Sequence, residues 1–128
     1  MIVLDTHVWI WLAANSKKLS VRARKAVDEA DKLGVCTISC WEVAMLEARG
    51  RIEFDRDIQT WLRQALALPK LELLPLTPDI AVEAANLPDD FPGDPADRLI
   101  AASAICHRTK LITKDKKLRA VKSLATTW

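Results

Sequence analysis

The chain begins Met1-Ile2-Val3-Leu4-Asp5-Thr6, and this stretch decides how the rest is read. Ile2, Val3 and Leu4 form an apolar, partly β-branched run with no polar break, the pattern of a strand buried on both faces. Asp5 follows where that strand would emerge, and Thr6 is placed to cap a helix after it. Ligands of open α/β sheets sit outside the carboxyl ends of the strands. An acid at this point therefore stands where chemistry is expected.

Further along, apolar periodicity and turn signals predict helices over 6–14 and from Ser20 to about Lys32, with Gly34 as the stop. Residues 35–38 read as a second strand. Ser39 and Glu42 then form a capping-box pattern that opens a helix closing at Gly50. Asp55 is expected to cap a fourth helix, and 71–74 to form a third strand. Thr77-Pro78 begins a fifth helix with proline at its first position. A loop over 88–92 precedes a sixth helix that runs from Asp94-Pro95 to about His107. Residues 110–113 are a fourth strand, 116–121 a short helix and 124–128 a last strand. Alternation of strand and helix predicts a three-layer α/β/α domain over 1–128, with a central, mostly parallel sheet of four to five strands. Right-handed crossovers would bring the strand ends to one edge.

Composition narrows the class. Half of the 128 residues are hydrophobic and 28% are charged, a globular balance with enough length to bury a core without staples. No apolar run approaches a membrane span, and the start lacks a signal-peptide pattern, so a cytoplasmic location with no membrane partner is expected. Cys36, Cys40 and Cys106 are an odd set without C-x-x-C spacing, which reads as reduced, mostly buried thiols. His7 and His107 have no partners at zinc spacing. A net charge of +2 does not by itself argue for nucleic acid, although lysines and arginines cluster over 17–25 and 108–122. Trp41, Met45 and Trp61 read first as core and second as a partner groove. Little exposed-aromatic signal for base stacking is evident.

Four acids share one topological address: Asp5 after strand one, Glu42 after strand two, Asp97 in the first turn of helix six and Asp115 after strand four. Asp94 stands one turn before Asp97. Each has a local explanation. Glu42 fits the capping box, Asp94 an N-cap, Asp97 a carboxylate near a helix N-terminus, and Asp115 a cap of the short helix. Their convergence is harder to explain locally. Two carboxylates about 4 Å apart repel by roughly 4 kcal/mol at an effective dielectric near 20. Such a group needs a cation or raised pKa values. Hard divalent ions with oxygen ligands meet that need and support hydrolysis of phosphodiesters by an activated water.

Leu4-Asp5-Thr6, Ser39-Cys40-Trp41-Glu42, Asp94-Pro95-Ala96-Asp97-Arg98-Leu99-Ile100-Ala101-Ala102 and Leu111-Ile112-Thr113-Lys114-Asp115 resemble, in order and spacing, the motifs of the PIN-domain ribonucleases. The VapC toxins of toxin–antitoxin pairs are the most similar subgroup. The resemblance implies a PIN-like fold and a metal-dependent endoribonuclease in which Asp5, Glu42, Asp97 and Asp115 are catalytic and hold Mg²⁺ or Mn²⁺. Asp97 is preferred to Asp94 because it directly precedes the Arg-Leu-Ile-Ala-Ala stretch. Thr6, Thr113 and Asp94 are supporting residues. The resemblance also implies an RNA substrate, a homodimer and a cognate VapB-like antitoxin. Arg98, Lys114 and Lys116 are candidates for phosphate contact; for Arg98 the alternative is an ion pair with Asp94 on the same turn.

Two other classes are weighed against this one. A receiver-like signalling module, non-catalytic and with an acidic pocket, would want paired acids after strand one and a phospho-acceptor Asp after strand three. Here a single acid follows strand one, and Leu71–Leu74 runs into Pro75. A phosphotransferase using Asp5 as nucleophile would want a second Asp two residues on, where His7 stands.

Overall fold

The computed structural model describes residues 1–128. In chain order the elements are β1 (Ile2–Leu4), α1 (Thr6–Ala13), α2 (Val21–Glu29), β2 (Leu33–Cys36), α3 (Thr37–Ala48), α4 (Ile58–Leu66), β3 (Leu71–Leu74), α5 (Pro78–Asn86), α6 (Pro95–Cys106), β4 (Leu111–Ile112), α7 (Lys116–Arg119) and β5 (Thr126–Thr127). The strands form one sheet in the order β3-β2-β1-β4-β5, and every pairing is parallel. The expected three-layer α/β fold is what the chain forms, with five strands and β1 at the centre.

Period-two alternation divides the core between the two faces of the sheet. Leu4, Val35 and Ile112 turn to one side, where they meet Trp9, Val27, Val43 and Trp61. Val3, Cys36, Leu74 and Leu111 turn to the other, against Ile100, Ala101 and Ala104. Alanine on α6 lets that helix approach the sheet closely. On the opposite face aromatic bulk fills the gap. Trp9 and Trp61 meet edge to face at 5.4 Å, Phe54 stacks on Trp61 at 4.4 Å, and the Trp9 indole N–H donates to the Ala65 carbonyl at 3.2 Å.

Several boundaries differ from the sequence reading, each for a local reason. α2 ends at Glu29 rather than near Lys32, because Ala30 turns extended and Lys70 Nζ donates to the Val27, Asp28 and Ala30 carbonyls. Gly34 lies inside β2 instead of stopping a helix; a Cβ there would sit 2.6 Å from Leu74 Cδ1. α3 starts at Thr37 behind Cys36, without a side-chain cap, so Ser39 is not an N-cap and Glu42 completes no capping box. Asp57, not Asp55, caps α4 by accepting from the Thr60 N–H at 2.9 Å, while Asp55 pairs with Arg56 at 2.7 Å. Trp61 is buried as expected, but Trp41 is 56% exposed. All three cysteines are free; Cys36 is buried and Cys106 is exposed, so the thiols are less uniformly buried than expected. No helix is long and apolar enough to cross a membrane.

Candidate active site

At the carboxyl ends of β1 and β4 lies an open cavity of about 490 Å³, lined by Asp5, Glu42, Asp94, Asp97 and Asp115 together with Thr6 and Lys114. A mostly apolar depression beside Cys36 and Leu74 measures only about 10 Å³, room for roughly one water. Larger clefts lie elsewhere on the surface, but the acidic cavity is the one that lies at the strand ends and collects the carboxylates, which makes it the candidate site. It gathers acids from four separate parts of the chain: the β1–α1 junction, α3, the start of α6 and the β4–α7 turn.

Asp5 is the N-cap of α1, accepting the Thr6 N–H at 2.8 Å; Thr6 is the first helical residue rather than the cap. That frees the buried Thr6 hydroxyl, which lies 2.5 Å from Glu42 Oε1 and 2.8 Å from Ser39 Oγ. A hydroxyl has one proton. Thr6 gives it to the carboxylate, which accepts most strongly, and Ser39 donates to Thr6 in turn. Thr113, fully buried behind Asp5, donates to Asp5 Oδ2 at 2.7 Å, and its oxygen accepts the Asp115 N–H at 3.1 Å. Both threonines thus orient a carboxylate from below. Asp94 and Asp97 form a reciprocal capping box on α6 at 2.9 and 3.2 Å, and Asp115 caps α7 through the Lys117 N–H at 2.8 Å. The local roles foreseen for these three acids are real; each still lines the cavity with them.

The electrostatics are those of crowded acids. Burial raises the Asp5 carboxyl above its ordinary value, against the opposing bonds from Thr113 and Thr6. Burial raises Glu42 as well, with the charges of Asp5 and Asp94 adding to the effect. Asp97 is pushed up to about 7, first by burial and then by Asp94, Asp5 and Glu42. No carboxylate of the cavity has a Lys or Arg within salt-bridge distance. Five carboxylates dominate the donors, with His7 the one nitrogen ligand type in the lining, which suits a hard cation such as Mg²⁺ or Mn²⁺ better than zinc. No three of these side chains are already arranged to hold an ion. That spacing remains compatible with magnesium, which takes one or two carboxylates directly and reaches others through water.

Arg98 stands apart from the other candidates. Its guanidinium donates to the carbonyls of Leu87 at 2.9 Å, Pro88 at 3.2 Å and Ala84 at 3.3 Å, and packs 5.6 Å from the Phe91 ring centroid. It neither pairs with Asp94 nor reaches the cavity. The carbonyls at and just after the end of α5 claim it: that of Leu87 takes it as its donor, and those of Ala84 and Pro88 accept it beside the N–H groups of Leu87 and Phe91. Lys114 lines the cavity, and Lys116 lies in the cleft beside it. Two further lining residues, His7 and Trp11, were not singled out from the sequence. Their i, i+4 spacing on α1, one turn after Asp5, was the available signal. Trp11 also brings an aromatic ring to the cavity wall, where little exposed-aromatic signal for base stacking is evident from the sequence.

The PIN domain family model matches residues 2–124. Ribonuclease VapC22 of Mycobacterium tuberculosis is 42% identical over 119 residues, 93% of this chain and 90% of that protein. Among solved structures, VapBC-1 from nontypeable Haemophilus influenzae is similar with a TM-score of 0.72 at 22% identity, over 99% of this chain and 97% of that one. VapBC2 from Rickettsia felis, bound to a DNA fragment from its promoter, gives 0.70 at 18% identity over 99% and 98%. At such identities the two structures speak to the fold alone.

Proposed function

The chain belongs to the PIN-domain family, and on that premise we propose how its acidic cavity works. The protein is an endoribonuclease, the toxin of a toxin–antitoxin pair, and RNA is its substrate. The observation that carries the chemistry is the cavity itself: acids from four parts of the chain share it, and three of them are held above their ordinary pKa.

Asp5, Glu42, Asp97 and Asp115 would hold Mg²⁺ or Mn²⁺. A bound ion of this kind neutralises the phosphodiester and makes water nucleophilic near neutral pH. The protein supplies the rest. Thr113 and the Thr6 N–H hold both oxygens of Asp5, and the Thr6 hydroxyl holds Oε1 of Glu42, so the two carboxylates are fixed at the cavity wall with their remaining lone pairs for a cation. The capping box fixes Asp97 at the start of a helix packed on the sheet, so its carboxylate is positioned before any ligand arrives. Lys114 at the rim offers a cation to phosphate. A VapB-like antitoxin as partner, a homodimer as the working assembly and the cytoplasm as the location complete the reading. The Asp5→Asn and Asp97→Asn variants, assayed for RNA cleavage with Mg²⁺ or Mn²⁺, test it. Cleavage should fall by about 10²-fold or more in each, and undiminished cleavage by both would refute the assignment.

A further inference from the structure

The acidic cavity poses a problem for its own substrate. Its lining carries five carboxylates against one lysine, and a polyanion gains nothing by approaching it unaided. Attraction has to come from beside it. The adjoining surface is of the opposite character. Trp11, at the cavity wall, has its ring centroid 5.9 Å from that of Trp128. Trp128 in turn lines an open cleft of about 710 Å³ along the free edge of β5, together with Arg22, Lys110, Lys116 and Arg119 and no Asp or Glu side chain. All four cations are exposed, and none has a carboxylate within 4.0 Å. The ammonium groups of Lys18 and Lys114 lie 5.8 and 5.7 Å from the Trp11 ring, and His7 lies 6.0 Å from it on the cavity side.

We propose that this strip, from Trp11 over Trp128 to Arg22 and Arg119, is the track for the single-stranded RNA flanking the scissile phosphate. The inference rests on the ribonuclease reading and adds where the strand lies. Unpaired bases stack on the indoles, and flanking phosphates meet the cations. Interleaved aromatic and cationic groups fit that ligand better than an acidic protein segment, which would need the cations but not the tryptophans. Because any base has a face to stack, the track tolerates sequence and selects for strands that are single. The charge opposite to that of the cavity also orients the strand, since only the scissile phosphate enters the acidic end.

The test is fluorescence anisotropy with a labelled single-stranded RNA of about a dozen nucleotides, in EDTA so that nothing is cut, across a salt series. Arg22→Glu/Arg119→Glu should bind at least about tenfold more weakly, with a salt slope shallower by about 1.4. Trp128→Ala should lose on the order of tenfold, and Trp128→Phe should recover most of it. Trp128 packs partly on the core, so the exposed arginine pair carries the test if Trp128→Ala fails to fold. Wild-type affinity and slope in the arginine variant would overturn the track, as would equal affinity of the wild type for fully duplex RNA. An effect of the arginines with none from Trp128→Ala would overturn the stacking and point to an acidic protein segment. Parallel cleavage assays of the wild type with Mn²⁺ separate the two readings. Cleavage with unaffected variant binding sinks the track alone, whereas variant-sensitive binding without any cleavage sinks the ribonuclease reading and leaves the track.

Discussion

Asp97→Asn should make the metal-free protein more stable at pH 8 while removing its response to metal. Asp97 sits half-buried among Asp94, Asp5 and Glu42, and its pKa is pushed from 3.8 up to about 7. A raised folded-state pKa means that the folded protein binds the proton more tightly than the unfolded chain. Between about pH 4 and 7 the folded state keeps the proton that the unfolded state has lost, so stability falls as pH rises through that window. Glu42 and Asp5 are raised too and push in the same direction. Taken at face value the Asp97 shift corresponds to about 4 kcal/mol. Much of its surface remains exposed to water, which screens the repulsion and brings the figure to about 1–2 kcal/mol. Asn carries no charge, and its amide oxygen can still accept the Asp94 N–H that Asp97 accepts at 3.2 Å. Thermal melts in EDTA from pH 5 to 8 should show the wild type losing stability while Asp97→Asn stays flatter. At pH 8 the variant should melt about 4–8 °C higher. Adding Mn²⁺ at saturating concentration should raise the wild-type melting temperature and leave the variant nearly unmoved. If Asp97→Asn melts at or below the wild type at pH 8 in EDTA, the carboxylates do not repel one another as described and the reasoning fails.

Three further outcomes follow from single contacts. Arg98→Ala should destabilise the fold by about 1–2 kcal/mol in urea titrations, because the Leu87 carbonyl loses its donor while those of Ala84 and Pro88 keep only the N–H groups of Leu87 and Phe91; a variant of unchanged stability but weakened RNA binding would return Arg98 to the phosphate role. Gly93→Ala should cost about 1–3 kcal/mol and weaken Mn²⁺ binding, measured calorimetrically, since Gly93 has φ +140° and a new Cβ would lie 2.7 Å from Asp97 Cβ and 2.9 Å from its Oδ2. Thr113→Val keeps the shape but takes the donor from Asp5 Oδ2, so the acid limb of the pH–rate profile should move to higher pH and stability at neutral pH should drop by about 1–2 kcal/mol. An unmoved acid limb would mean that Asp5 does not depend on Thr113 for its ionisation.

The fold was legible because its signals are local. Ile2–Leu4 and Leu111–Ile112 are short apolar runs and Leu71–Leu74 a leucine-rich one broken only by Glu72, and their alternation with amphipathic stretches is enough to specify strands between helices. The topological address of the acids followed from the same alternation, since parallel strands present their carboxyl ends on one edge. Ser39 and Glu42 show where local reading stops. Their spacing spells a capping box, yet β2 ends earlier than its sequence suggests, α3 begins before them, and both side chains turn to Thr6 from another element.

From the residues alone come the alternation of strands and helices, a mostly parallel sheet and four acids at one end of it. Packing in three dimensions set the order of the strands and the partner each side chain takes there. Arg98 turns to the carbonyls around the end of α5, Thr113 packs beneath Asp5 from 108 residues away, and Trp11 meets Trp128 beside the site. The physical reason is that backbone propensity and hydrophobic period act within a few residues. A hydrogen bond, a stacked ring or a carboxylate's charge is decided by whichever partner packing brings within reach, and that partner has no fixed distance along the chain.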